Sequence, residues 1–343
     1  MTSINWREIF PGKWSIIIFI LYMALFVNQG ILVTWSQHDK EYNYNTVLVV
    51  LMTEVLKLII STLLYLKDNQ LSSLLSEISK NRKVLVLYMV PSSLYCLYNN
   101  LTFLNLAKFD PTTYFLLLQF RVVITGLIFQ VVFKKKLSVK QWVSLIILTI
   151  GCMVKHLNLN FNKSALETSF TLNIDVILIF VQTICSCLAG VYNEYLLKGE
   201  GANVDMFLQN MFMYFDSILC NVAFLVLQGD FKHVFDNAGS SIFFEPKVIL
   251  IMFNNAGIGI VTSFFLKNLN SIVKSFASAL ELVFTAILCW LLFNIPIYLN
   301  TILAIAIVSY AIILYSQNPI QNVKTRLHEN LNEEQCNLKD NVV

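Results

Sequence analysis

The chain has 343 residues, of which 57% are hydrophobic and 13% charged, and its mean hydropathy is +0.65. A soluble domain carries about 25% charge, so the composition excludes a water-soluble globule and points to a membrane protein. The net charge of +3 is too small to argue for nucleic acid as a partner.

The first apolar run, WSIIIFILYMALFVNQGILVTW at 14–35, is too long for a signal-peptide core. No small-residue cleavage pattern follows it, so it reads as a retained span. A helix needs about 20 apolar residues to cross the hydrocarbon. Further runs on that measure lie at 46–66, 84–107, 111–133 and 140–155. The polar loop KHLNLNFNKSALETSF follows, and a second set lies at 174–197, 206–228, 247–267, 271–293 and 297–316. The predicted fold is an all-α polytopic membrane protein with ten transmembrane helices. Its expected parts are an N-terminus at 1–13, five helices over 14–155, a loop at 156–173, five more over 174–316, and a disordered polar tail at 317–343.

Basic residues set the orientation. Of the 24 lysines and arginines, Lys57, Arg121 and Lys274 fall within spans. Lys40, Lys108, Lys155, Lys163, Lys232 and Lys247 share one side, and the remaining fifteen share the other with both termini. The positive-inside bias makes the richer side cytosolic. The sequon Asn162-Lys163-Ser164 then faces away from the cytosol, where Asn162 can be glycosylated.

Five spans per half is an odd number, so equivalent halves have opposite orientation, the pattern of inverted repeats in transporters. An offset of 160 superposes Pro111–Phe133 on Ser271–Phe293 and sets Arg121 against Glu281. Among cysteines, Cys96, Cys152, Cys185, Cys187, Cys220 and Cys289 lie in apolar segments and read as packing residues, leaving only Cys336 outside. All four histidines lie outside the spans, so neither a metal nor another cofactor is expected.

Ionisable groups at membrane depth are functional hypotheses by default. Two acidic residues lie clearly inside spans, Glu54 and Glu281. Glu54 and Lys57, at i,i+3, share a helix face and can neutralise each other, either as a structural pair or beside a substrate path. Arg121, ten residues into a helix opened by Pro111, stands about 15 Å deep, near the midplane. Its helix-mates are Tyr114, Leu117, Leu118 and Thr125, with no acid within a turn. It therefore needs an internal partner such as Glu281 or Glu54, or an anionic ligand. Lys274 sits one turn into its helix among Ser275, Ala277, Ser278 and Ala279, and either snorkels to the interface or meets a ligand.

Tyr95, Tyr98 and Asn99 share one helix face, as do Asn210 and Tyr214 at i,i+4. Such groups hydrogen-bond across helices or to a bound ligand. Together these cations, amides and phenols suit a dianionic phosphate ester with a hydrogen-bonding base and sugar. Arginine meets phosphate in a planar, bidentate manner.

The segments TEVLKL (53–58), NNLTFLNLAKFDPTTYFLLLQFR (99–121), LSVKQWVSLIILTIGC (137–152), AGVYNEYLLK (189–198), QNMFMYF (209–215) and VKSFASA (273–279) resemble the nucleotide-sugar transporters of Golgi and ER membranes. The resemblance covers residues 14–317 and lies in the branch carrying CMP-sialic acid, UDP-galactose and UDP-N-acetylglucosamine. It implies ten spans in two inverted five-helix repeats, cytosolic termini, a lumenal 156–173 loop and a Golgi location, with the ER as alternative. The implied activity is exchange of a cytosolic UDP-sugar, foremost UDP-galactose, for lumenal UMP. Family cavity positions carry over onto Tyr95, Asn99, Tyr114, Asn210, Tyr214, Ser263 and Lys274. The CMP-sialic acid carriers have a lysine at the position of Arg121 and a tyrosine at that of Leu118, so both departures weigh against CMP-sialic acid as cargo. UDP-N-acetylglucosamine or another nucleotide sugar is the alternative cargo. Two competing functions are an exporter of an amine or amino acid, of which a cationic cavity disfavours the amine, and a non-transporting scaffold for glycosylation enzymes. A homo-oligomer or an association with a glycosyltransferase is compatible with the sequence. A membrane hydrolase is disfavoured by the lack of HExxH, paired aspartates or histidine in the spans.

Overall fold

The computed structural model describes residues 13–38, 41–121, 123–124, 127–128, 138–156, 174–227, 245–268 and 271–316. Asn162 and the 317–343 tail lie outside these residues. The described chain forms α1 (Lys13–Ser36), α2 (Thr46–Asp68), α3 (Leu71–Lys80), α4 (Arg82–Lys108), α5 (Pro111–Leu117), α6 (Val139–His156), α7 (Ile174–Lys198), α8 (Met206–Leu227), α9 (Pro246–Asn268), α10 (Ser271–Phe293) and α11 (Leu299–Ser316). Among the described residues, six helices (α1, α2, α4, α7, α8 and α9) are long and apolar enough to cross a membrane. Shorter apolar stretches lie in α6, α10 and α11. The protein is a helical membrane protein.

Local chemistry explains the helix starts. Asn45 accepts a hydrogen bond from the Leu48 amide at 3.1 Å and caps α2. Asp110 accepts from the Thr113 amide at 2.9 Å, and Pro111, which has no amide to leave unpaired, opens α5. Span-length reasoning does not anticipate α3. Its Leu71, Leu74, Leu75 and Ile78 repeat at helical spacing, yet Leu71 and Leu75 are exposed. That pattern suits a helix lying at the membrane interface.

The fourth span departs from expectation. The sequence predicts a continuous helix through Arg121, but α5 stops at Leu117. Beyond it the Gln119 amide bonds to Leu116 O and the Arg121 amide to Leu118 O, three residues back instead of four. The fully buried Gln119 side chain donates to Phe115 O at 3.0 Å, taking the carbonyl that its own amide would use in a regular helix. The chain is thus tightened just before the arginine.

The burial pattern is that of a protein with an apolar outside. Trp14, Ile17, Ile20, Leu63, Ile146 and Trp290 are exposed, while Glu54, Asn105, Gln119, Gln182 and Asn221 are buried. With lipid around them, helices associate through packing and hydrogen bonds, not through hiding apolar surface. α6 packs on α11, α4 on α7 and α8, α2 on α8 and α9, α1 on α9 and α10, and α10 also on α5 and α11. Tyr88 to Gln209, Ser92 to Met213 O and Asn100 to Asn221 are hydrogen bonds of 2.8, 2.8 and 3.1 Å, each separated by 121 residues. A constant separation means that both numbers rise together, so α4 and α8 run parallel and in register.

Close approach sets the α6–α11 contact. A Cβ on Gly151 would stand 2.8 Å from Val308 Cγ2 and 2.9 Å from Ile307 Cγ2, both on rigid β-branched side chains. Gly151→Leu is expected to cost about 1–3 kcal/mol by overpacking, read as a lower thermal unfolding midpoint of the detergent-solubilised protein. An unchanged midpoint contradicts the tight crossing.

Candidate functional site

The polar residues expected inside the spans gather into two adjoining clusters. In the first, Lys57 Nζ lies 2.7 Å from Glu54 Oε1, with both side chains buried on α2. Asn99 of α4 donates to the same carboxylate oxygen at 3.2 Å. The Lys57 ammonium also sits 5.4 Å from the centre of the Tyr214 ring on α8, a cation–π arrangement. Ser263 of α9 donates to Asn210 Oδ1 at 2.8 Å. Gly259 makes this possible, because a Cβ there would be 2.9 Å from Lys57 Cε and 3.0 Å from the Tyr214 hydroxyl. Four helices therefore converge around the Glu54–Lys57 pair, and that pair, expected from i,i+3 spacing, is present.

The second cluster surrounds Arg121. Its Nη2 lies 3.4 Å from Glu281 Oε2, joining the segment after α5 to α10. The Glu281 side chain is 2% exposed and that of Arg121 is 20% exposed, so the arginine is the more accessible partner. Tyr22 of α1 and Tyr98 of α4 stand around this pair. Cys187 of α7 donates its thiol to Arg121 O at 3.4 Å, tethering the tightened backbone. Because Tyr98 and Asn99 are consecutive, the two clusters meet along α4.

Tyr114 sits deeper than a cavity residue need be. It is 1% exposed, its hydroxyl accepts from Gln182 Nε2 at 2.7 Å, and it donates to Thr102 Oγ1 at 3.4 Å. Tyr95 pairs with Asn193 of α7. Lys274 lies near the start of α10, two turns before Glu281, and the placement of its side chain is outside the description.

Sequence reasoning missed three groups. Gln182 bonds Tyr114, Thr102 and Asn105 together, with Asn105 Nδ2 donating at 2.6 Å. A lone amide within LIFVQTIC was the available signal. Gly259 gives no sequence signal, because the cost of a side chain there depends on neighbours from two other helices. Asp216 is a third acid within the spans, beyond Glu54 and Glu281. It is 2% exposed on α8, and its Oδ2 has no hydrogen-bond partner among the described residues.

A model of the nucleotide-sugar transporter family matches residues 13–316. The chain belongs to that family. The protein is accordingly a transporter and not an enzyme. The transporter is 55% identical to "UDP-galactose transporter senju" of Drosophila melanogaster, over 96% of this chain and 94% of that one. It is 29% identical to "CMP-sialic acid transporter 1" of Oryza sativa subsp. japonica, over 88% and 94%. The Arabidopsis thaliana protein of the same name is 30% identical over 88% and 89%. A crystal structure at 11% identity shares the fold, with a TM-score of 0.54 over 88% of this chain and 96% of that one.

The Glu54–Lys57 pair is nearly dry, so removing one partner leaves a buried charge alone. Glu54→Gln is expected to destabilise the transporter by about 3–5 kcal/mol, while Glu54→Gln with Lys57→Met recovers much of the loss. Thermal unfolding in detergent measures both. Equal midpoints for the single and double variants would show that no charge is stranded.

Proposed function

We propose that the protein is an antiporter that carries a UDP-sugar, UDP-galactose first, from the cytosol into the Golgi lumen in exchange for UMP. The observation that carries this reading is the 55% identity to the Drosophila UDP-galactose transporter along nearly the whole chain. Within the fold, Arg121 supports it. A partly exposed guanidinium with the phenols of Tyr22 and Tyr98 in its neighbourhood suits the diphosphate. Lys274 supplies a second cation to the same group. Tyr95, Tyr98, Asn99, Asn210, Tyr214 and Ser263 read base and sugar through hydrogen bonds and ring contacts, and Tyr114, its hydroxyl already shared between Gln182 and Thr102, positions α5.

The same proposal takes the chain as ten spans in two inverted repeats, with both termini in the cytosol. The basic-residue bias supports the orientation. Helix packing supports the repeats. Exchanging each span with its counterpart five spans on turns the α1–α9 contact into α4–α7 and the α2–α9 contact into α4–α8. The α2–α8, α6–α11 and α5–α10 contacts map onto themselves. Alternating access then proceeds around a fixed midplane site. One cationic pocket is neutralised by an anion in either direction, which suits exchange.

Losing the charge-assisted contacts of Arg121 removes about 1.5–3 kcal/mol or more of phosphate binding. Arg121→Ala is expected to reduce UDP-galactose uptake into UMP-loaded proteoliposomes at least tenfold, roughly the lower end of that energy. Arg121→Lys keeps part of the uptake. Unchanged exchange in the alanine variant removes Arg121 from the site. Counterflow with UDP-galactose, UDP-N-acetylglucosamine, UDP-N-acetylgalactosamine and CMP-sialic acid identifies the sugar, and failure of UDP-galactose to elicit it refutes the assigned cargo.

A further inference from the structure

We propose that Glu281 is a built-in competitor for the substrate phosphate: it holds Arg121 while the carrier is empty, yields to a bound nucleotide, and returns to expel it. The inference rests on the reading of Arg121 as the phosphate ligand. Three observations carry it beyond that reading.

The first is the looseness of the pair. Arg121 and Glu281 are 3.4 Å apart, whereas Lys57 and Glu54 in the same bundle are 2.7 Å apart. Charge-assisted N–H···O bonds close to about 2.7–2.9 Å when nothing opposes them. The Lys57 pair therefore has the geometry of a permanent link, and the Arg121 pair that of a contact easily exchanged. The second is the asymmetry of burial. Glu281 is 2% exposed whereas Arg121 is 20% exposed. The arginine is the more reachable of the two, so a phosphate can engage it while the carboxylate is still in place. At no stage does the guanidinium stand uncompensated in a dry site, a state that is costly at membrane depth.

The third is position. The two residues are 160 apart, the offset that superposes the halves, so each is the repeat equivalent of the other. A contact between equivalent residues maps onto itself when the halves exchange conformations. The carboxylate therefore accompanies the guanidinium whichever side the cavity faces, and its negative charge weakens the hold on phosphate in both states. An exchanger has to release an anion at each face. A competitor placed away from the pseudo-symmetry axis would assist release at only one.

UMP binding to the purified full-length protein, together with UMP/UDP-galactose exchange in proteoliposomes, tests the proposal. Glu281→Gln is expected to tighten UMP binding about tenfold, since a unit charge a few ångströms from the phosphate is removed. Exchange should then show a lower KM and a lower kcat, because release slows. Glu281→Asp gives a smaller gain of the same sign and serves if the glutamine variant does not fold. In an Arg121→Ala background, Glu281→Gln should leave affinity unchanged. A purely structural glutamate predicts weaker or unaltered UMP binding and an unchanged or raised KM in Glu281→Gln, which overturns the proposal. If Arg121→Ala alone leaves UMP affinity intact, the phosphate role of Arg121 fails. If it abolishes binding while Glu281→Gln brings no tightening, only the competitor fails.

Discussion

Hydrocarbon offers no water to a buried polar group, and that constraint organises the whole molecule. Each intramembrane ion pair here joins a carboxylate to a specific cation. Glu54 serves Lys57 and Asn99, and Glu281 serves Arg121. Each partner lies on a particular helix, so satisfying the charges also fixes which helices touch. The result is a bundle whose specificity is polar and whose outer surface is apolar. This reverses the usual distribution in soluble proteins.

The same constraint distinguishes two kinds of ion pair. The Glu54–Lys57 pair lies within one helix, is short, and is pinned from α4 and α8 by Asn99 and the Tyr214 ring. It holds helices together. The Arg121–Glu281 pair spans two elements, is longer, and leaves the cation partly open. Its arginine follows a stretch of chain where the regular helical bonding has already given way and Gln119 has taken over a carbonyl. A broken helix at membrane depth is tolerated where it lines a cavity, and it frees backbone that a continuous helix would conceal.

Much of this was legible in the sequence, and the misses have physical reasons. Outside the fourth span, apolar run length placed the long helices to within a few residues, because span length is set by bilayer thickness and not by tertiary detail. The i,i+3 spacing of Glu54 and Lys57 foretold their pair, while for Arg121 the sequence offered Glu281, Glu54 or an anion, and the structure pairs it with Glu281. Three kinds of feature escaped. The end of α5 at Leu117 depends on a side chain, Gln119, displacing a backbone amide, and helical periodicity does not register that. Asp216 is inconspicuous beside the amide and phenol of the same helix. Its burial follows from how α8 is enclosed by α2 and α4. Gln182 acts as a junction only because α4 and α7 lie together, a contact between residues 77 or more apart in sequence. Local spacing reveals local pairs, while junctions between helices appear only in three dimensions.

The parallel seam between α4 and α8 bears on how such a carrier moves. Tyr88, Ser92 and Asn100 bind across it, and Asn105 binds Gln182 on α7. α4 belongs to the first half of the chain, whereas α7 and α8 belong to the second. Parting the chain at its midpoint would break all four bonds together in a medium with no replacement partners. The seam therefore ties α4, α7 and α8 into one packed unit built from both sequence halves, and any motion that parts those halves has to break it.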